Sequence, residues 1–238
     1  MKLVKTKGII IAEHNMSDFD KMLTILTPNL GKIECMAKGS RKPKSLLLAG
    51  SQFLCFGEYI LYKGSDNYSM NSCEIIELFY KIRTDLDKLK YATYLTKIIS
   101  EVTTENQNNY KILQLYLNTL YVIAETDKKL DLIISIFRLR LMSIIGFKPQ
   151  IDECSSCGNK DDLNYFSIRD SGFKCKTCAK QDGGALEITE TTKDAIRYIV
   201  LSDAKKIYSF TVPEQTAKEL EIVSKLYLHE KLEKEYKL

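Results

Sequence analysis

Four cysteines in two pairs form the clearest chemical motif of this 238-residue chain. Cys154 and Cys157 form one Cys-x-x-Cys pair, Cys175 and Cys178 form a second, and 17 residues separate the pairs. A two-residue gap lets both sulfurs of a pair reach one ion, and this separation is typical of zinc sites. Because four sulfur ligands leave no coordination position for water, we expect one structural Zn²⁺.

A redox motif or a catalytic metal site is the alternative interpretation of these cysteines. Thiol oxidoreductases use a single Cys-x-x-Cys pair in a strand–helix–strand context, which this region does not show. No His-x-Glu accompanies the pairs, which argues against a zinc deaminase. Metal content and thiol titration separate the alternatives, since a closed site has neither a free thiolate nor a bound water.

Residues 38–45, here named the basic loop, form a second motif, with four positive charges and no negative one. Lys38, Arg41, Lys42 and Lys44 are therefore candidates for contacts with nucleic-acid phosphates. A solvated surface loop explains the same composition equally well. Beside the second cysteine pair, three weaker candidates for a further DNA contact are Lys174, Lys176 and Lys180. Their alternative role is to balance the negative charge of zinc-bound thiolates.

Aromatic side chains follow the basic loop and have two possible roles. They stack on bases in many proteins that bind single strands, but such residues more often fill a core. The residues concerned are Phe53, Phe56, Tyr59, Tyr62 and Tyr68. The three remaining cysteines lie in predicted strands and are expected in the core: Cys35, Cys55 and Cys73.

Several classes of enzyme lack support in the sequence. The two histidines, His14 and His229, lie far apart in the chain, and no Ser-His-Asp or Cys-His set is recognisable. A Gly-x-x-x-x-Gly-Lys-[Ser/Thr] phosphate loop is also absent from the sequence. We therefore expect a protein that is not an enzyme.

Composition sets wide limits on class and location. The net charge is +4, which permits nucleic-acid binding without requiring it, and 45% of residues are hydrophobic, enough for a real core. No run reaches the ~18 apolar residues that span a bilayer, and the first residues lack the apolar stretch of a secretion signal. These features predict a cytoplasmic protein.

The pattern of apolar residues changes near residue 80 and predicts two domains. Before that point, β-branched and aromatic runs predict five antiparallel strands, sufficient for a small barrel. The predicted strands are 8–14, 21–27, 33–38, 53–63 and 68–79. After it, helical periodicity marks segments starting near Leu86, Ile112 and Leu130, with Gly146 and Pro149 ending the third.

The cysteine module, residues 151–183, lies between predicted helices of the second domain. Two further helices are expected over Thr192–Ser202 and Glu214–Tyr236, the last one with a capping box that starts at Thr211. The predicted fold is therefore α+β, with a barrel over 1–80 and a helical domain over 81–238 into which the zinc module is inserted.

Several of these segments together resemble the bacterial RecO family of recombinational-repair proteins. The resemblance covers essentially the whole chain in order. It is carried by Ser17-Asp18-Phe19-Asp20-Lys21, Thr27-Pro28-Asn29-Leu30-Gly31-Lys32, the basic loop, Ile145-Gly146-Phe147-Lys148-Pro149 leading into Cys154-Ser155-Ser156-Cys157-Gly158, and the late Tyr227-Leu228. The basic loop and the Gly-Phe-x-Pro lead into a four-cysteine finger are specific in combination.

The resemblance implies an OB-fold barrel, a helical domain with a zinc finger, and a nucleoid-associated role in DNA repair. It implies binding of single- and double-stranded DNA and annealing of complementary strands. It also implies work with RecR and single-strand-binding protein, usually with RecF, to load RecA onto coated strands. The competing hypothesis is an adaptor whose finger and helices bind proteins only, without direct DNA binding.

Overall fold

Five strands at the start of the chain close into a barrel. They are β1 Lys2–Asn15, β2 Lys21–Leu26, β3 Lys32–Ala37, β4 Phe56–Lys63 and β5 Tyr68–Glu77. Their order around the barrel is β1-β2-β3-β5-β4, and β4 pairs with β1 to close it. All neighbours are antiparallel except β3 and β5, which run parallel. This computed structural model describes residues 2–64 and 67–238. It confirms the predicted five-stranded barrel, but the prediction that all strands are antiparallel is wrong for the β3–β5 pair.

Alternating apolar residues fill the barrel interior. Leu23 and Ile25 of β2 and Ile33 and Cys35 of β3 are buried, while the residues between them are more exposed. Cys35 lies in this core as expected, and burial raises the pKa of its thiol to about 12. This two-residue period is what a sheet with one buried face requires.

A pair of glycines lets β1 pair with two neighbouring strands. The first half of β1 pairs with β4 and the second half with β2, and Gly8 lies opposite Gly57 near the change. A Cβ on Gly8 would lie 2.7 Å from the Ile25 Cγ2, and one on Gly57 would lie 2.7 Å from the Cys73 Sγ. Both positions therefore need glycine so that the barrel can close tightly.

Helices follow the barrel. They are α1 Tyr80–Arg83, α2 Leu86–Val102, α3 Tyr110–Glu125 and α4 Leu130–Ile144, and, after the cysteine module, α6 Glu190–Leu201 and α7 Glu214–Leu232. The four-residue helix α5, Lys176–Ala179, lies within the module. None of the helices in the described residues is both long enough and apolar enough to cross a membrane.

Two compact units make up the chain, one ending at Tyr116 and one spanning Leu117–Leu238. In the first unit, the turn between β2 and β3 contacts the segment between α2 and α3. Lys32 N donates to Thr104 O at 3.0 Å, and Asn109 N donates to Pro28 O at 2.8 Å. The predicted boundary at residue 80 separates strands from helices, and it stays a prediction as a domain boundary.

The second unit contains the cysteine module between α4 and α6. A three-stranded sheet forms there from β6 Tyr165–Ser167, β7 Gly172–Lys174 and β8 Ala185–Glu187, in the order β7-β6-β8. Helices α4, α6 and α7 pack against one another. Phe166 of β6 packs edge-on against Tyr227 of α7, with ring centroids 5.6 Å apart. The module is thus inserted in the chain between helices that share one core, as predicted.

Several local expectations need correction. The last helix ends at Leu232 rather than at Tyr236, and the fifth strand ends at Glu77 rather than at residue 79. The fourth strand begins at Phe56 rather than Phe53, because Leu54 has a left-handed backbone with φ of 64° that no strand accepts. The first strand begins six residues before Gly8, at Lys2. The capping box at Thr211 is wrong, because α7 has Pro213 at its N-cap and no side chain caps it.

Candidate metal centre and nucleic-acid interface

The four cysteines of the two pairs meet at one point. The sulfur atoms of Cys154, Cys157, Cys175 and Cys178 all lie within 4.8 Å of one another. The Cys157 and Cys175 sulfurs are 3.8 Å apart. Four sulfurs at the Zn–S distance of ~2.3 Å in a tetrahedron would be about 3.8 Å apart. The Cys157–Cys175 spacing therefore matches a tetrahedral sulfur site, and the cluster as a whole could hold one metal ion.

Backbone hydrogen bonds fix both cysteine pairs. In the first pair, Gly158 N donates to Cys154 O at 2.9 Å, and Gly158 has φ of 73°, which only glycine adopts readily. The second pair lies where β7 ends and α5 begins, and Ala179 N donates to Cys175 O at 2.9 Å. Ser155 N donates to Phe173 O at 2.9 Å and so holds the first pair against β7.

The thiols differ in their tendency to ionise. Burial opposes ionisation of Cys154, but backbone N–H groups of Cys175, Ser156 and Cys157 outweigh it and lower the pKa of that thiol to about 6. Hydrogen bonds with Cys157 and Cys175 raise the pKa of Cys178 to about 12. Sulfurs this close resist carrying four negative charges together, and a divalent cation at their centre removes that repulsion.

The surroundings of Lys174 argue against the DNA contact that its position beside the cysteines suggested. Its side chain is only 3% exposed, and its ammonium group lies 2.5 Å from a carboxylate oxygen of Asp170 and 2.8 Å from one of Asp182. The hydrogen bond from Lys174 is the largest cause that lowers the pKa of the Asp182 carboxyl to about 2, and the hydrogen bond from Ser167 is the next. Because this ammonium group is enclosed by two carboxylates, we remove Lys174 from the candidate DNA contacts.

The other two finger lysines are on the surface. Lys176 and Lys180, at the two ends of α5, are both exposed. Neither forms an ion pair with any residue in the described ranges. Both stay candidates for a second DNA contact.

The basic loop presents its four cations to solvent. Lys38, Arg41, Lys42 and Lys44 are all exposed, and within the described part of the chain none of them is in an ion pair. Unpaired surface cations of this density attract phosphates, and they lose little on binding because no carboxylate has to be displaced.

The turn between β1 and β2 holds the basic loop in place. Asp20 accepts a hydrogen bond from Gly39 N at 2.7 Å, and Phe19 O accepts one from Arg41 N at 3.0 Å. The Arg41 guanidinium also donates to Ser17 O at 2.7 Å. Gly39 has φ of 66°, so its backbone turns where most side chains would strain it. The loop is thus attached to the barrel by its own backbone.

Only some of the aromatic candidates are available to a ligand. Tyr59 is fully buried and Tyr68 is 9% exposed, so both belong to the core, whereas Tyr62 is 37% exposed. An aromatic residue that does lie at the basic loop is Phe19, which is 49% exposed. The Lys42 Nζ lies over its ring, 5.4 Å from the ring centroid. The sequence does not single out Phe19, because this residue precedes the basic loop by nineteen positions. Only the folded chain brings the two segments into contact.

The fold and these sites define a class of protein. A closed barrel of this strand order with a cationic loop at one end, followed by helices and a four-cysteine module that could hold a metal ion, is typical of an OB-fold protein with a cysteine finger.

Comparison with known proteins gives the family. The chain matches the models Recombination protein O N terminal over residues 1–79 and Recombination protein O C terminal over residues 83–238. The DNA repair protein RecO of Acetivibrio thermocellus is 44% identical over 237 residues, which covers 99% of this chain and 94% of that relative. The RecO of Alkaliphilus metalliredigens is 34% identical, covering 95% of this chain and 92% of that relative. This chain belongs to the RecO family.

Proposed function

We propose that this protein binds single- and double-stranded DNA through the basic loop and acts in DNA repair as a mediator of homologous recombination. The observation that carries the proposal is the set of four exposed, unpaired cations held on the barrel by the β1–β2 turn. Membership of a family whose relatives are named DNA repair proteins supports the same role.

The finer part of the proposal is annealing of complementary strands and loading of RecA with RecR onto DNA coated by single-strand-binding protein. RecF enters as a further partner. These steps rest on the family resemblance, and the protein supplies binding surfaces rather than a covalent reaction. The location that suits this work is the cytoplasm, at the nucleoid.

The metal is proposed to be zinc, with a structural role. Cys154, Cys157, Cys175 and Cys178 would hold it, and four thiolates satisfy its tetrahedral preference without leaving a position for water. When bound, the ion supplies folding free energy to the module rather than reaction chemistry.

DNA binding is tested by measuring fluorescence anisotropy of labelled oligonucleotides across a salt series. Replacing Lys38, Arg41, Lys42 and Lys44 together by Ala should weaken binding and lower the salt slope by about 0.7 per lost contact for single strands and about 0.9 for duplex. The loss should be nearly uniform across sequences, since phosphate contacts carry no base information.

The matched control removes four positive charges from other parts of the surface. Its substitutions to Ala are at four exposed lysines on helices, namely Lys90, Lys97, Lys111 and Lys225. Affinity and salt slope should stay near those of the original protein. If the basic-loop variant behaves like this control, the loop is only a solvated loop. If the original protein shows no salt-dependent DNA binding, the adaptor hypothesis replaces this one.

A further inference from the structure

We propose that Phe19 stacks on an unpaired base and so gives the basic loop a preference for single-stranded over double-stranded DNA. This inference rests on the proposed function, because it assigns a role to a residue at the same surface. It adds the chemical class of the ligand, which is a strand whose bases are free to leave their stack.

The first observation is an aromatic ring exposed to solvent on the turn between β1 and β2. Phe19 is 49% exposed, and its neighbour Met16 in the same turn is 57% exposed. The large apolar residues of β2, such as Leu23 and Ile25, are fully buried. An apolar ring gains free energy by leaving water, so covering the exposed Phe19 ring with a base would be favourable.

The second observation is that the backbone around Phe19 is fixed. Ser17 Oγ accepts from Asp20 N at 3.2 Å, and Met16 N donates to Asp20 O at 3.1 Å. Phe19 O accepts from Arg41 N at 3.0 Å. The ring is therefore presented from an ordered turn, and ordering it on binding costs little conformational entropy.

The third observation is the cation that lies over one face of the ring. Lys42 Nζ lies 5.4 Å from the Phe19 ring centroid, and the Arg41 guanidinium is held by Ser17 O on the same turn. A nucleotide can therefore place its base on the ring face opposite Lys42 while its phosphate meets the neighbouring ammonium or guanidinium. The exposed carboxylate of Asp18 repels phosphate, whereas the Asp20 carboxylate is engaged by Gly39 N.

A ring in this position distinguishes single-stranded from double-stranded DNA. Phosphates are present on single strands and duplexes alike, so the four cations bind both. A ring face can stack only on a base that is not already stacked and paired, and stacking tolerates every base because each has a π face. Phe19 should thus add affinity for single strands without adding sequence specificity.

Direct evidence of stacking comes from a Trp probe. The chain contains no Trp, so Phe19→Trp places a single tryptophan, which can be excited selectively, at the proposed site. Binding of unlabelled single-stranded oligonucleotide should quench its emission strongly, and duplex of the same length should quench it little. The control is Tyr80→Trp on α1, where the native side chain is 69% exposed, and its emission should change little with either ligand.

Affinity measurements complete the test. Phe19→Leu should weaken single-strand binding by about 5- to 20-fold, the lower part of the range for loss of one stacked base, and change duplex binding less than about twofold. Phe19→Tyr should retain single-strand affinity. The salt slope should be unchanged in both variants, because no phosphate contact is lost.

The outcomes separate the two proposals. Normal single-strand affinity in Phe19→Leu, or equal losses for both ligands, overturns the role of Phe19 while DNA binding at the basic loop stands. Absence of DNA binding by the original protein overturns both. Thermal unfolding of each variant, expected to match the original protein, shows that the substitution of this half-exposed residue leaves the fold intact.

Discussion

Lys174 illustrates how a charged residue next to a metal site can serve the fold instead of a ligand. Its ammonium group is closed in by Asp170 and Asp182, and Ser167 donates its hydroxyl hydrogen to the same Asp182 carboxylate. A buried charge is tolerated only when it is paired and hydrogen-bonded in this way. The network joins β6, β7 and the segment after α5, so it braces the module independently of the sulfur site.

The first residue-scale prediction concerns the metal. Protein purified without chelators should contain one zinc per chain, and Cys154→Ser should lose it, because three thiolates and a hydroxyl bind zinc much more weakly. Apparent binding free energies in zinc-finger peptides are ~10–16 kcal/mol, so loss of the ion should unfold the module locally and lower solubility. Elemental analysis and hydrogen exchange of residues 151–183 measure both effects.

A matched control for this experiment is available in the barrel. Cys35 is fully buried far from the cluster in sequence and contributes only packing, so Cys35→Ala should keep one zinc per chain although it leaves a small cavity. Purified original protein that contains no zinc would contradict the metal assignment.

The clustering of the four cysteines was predictable from the sequence, because each pair is separated by only two residues and this spacing is visible without a fold. The sequence could not predict the burial of Lys174, because Asp182 reaches it from eight residues away only once β6 and β7 pair. Phe19 was missed for the same reason, since its contact with Lys42 joins two loops across the barrel end.

At the scale of elements, the β1–β2 turn and the basic loop act as one structural unit. Asp20 is the residue that links them, through its 2.7 Å hydrogen bond with Gly39 N. Loss of that acceptor should let the loop sample many conformations, and DNA binding would then include the cost of ordering it.

The prediction for this unit uses two substitutions at Asp20. Asp20→Ala removes both the charge and the acceptor, whereas Asp20→Asn removes the charge and keeps an amide oxygen that can accept from Gly39 N. Asp20→Ala should bind single-stranded DNA about 3- to 10-fold more weakly than Asp20→Asn, the effect of one lost hydrogen bond. Anisotropy titrations at one salt concentration measure the difference. Equal affinities would show that the loop does not depend on this anchor.

Most elements were predictable because their periodicity is local. Strands β2 and β3 and helix α2 match the patterns of Leu, Ile and Val closely. The errors arose where backbone geometry decides the boundary, as with the left-handed Leu54 before β4 and the Pro213 N-cap of α7. Such features depend on neighbouring segments that a linear pattern does not contain.

At the scale of the whole molecule, the net positive charge is small, and the basic loop holds four positive charges close together. The chain carries +4 overall, equal to the four cations of the basic loop. Two complementary strands repel each other through their phosphates, and a protein that neutralises part of both raises their local concentration. Base pairing then drives annealing, and a mildly basic protein releases the duplex more readily than a strongly basic one.

We therefore predict annealing that needs no nucleotide and weakens steadily as salt rises. Holding two strands requires a second site besides the basic loop, and the exposed Lys176 and Lys180 of the finger are the candidates. Their replacement by Ala should slow annealing more than it weakens binding of one strand, whereas the same change at Lys97 and Lys111 should affect neither. Annealing of labelled complementary oligonucleotides, with and without ATP across a salt series, measures this. A requirement for ATP, or indifference to salt, would rule the electrostatic mechanism out.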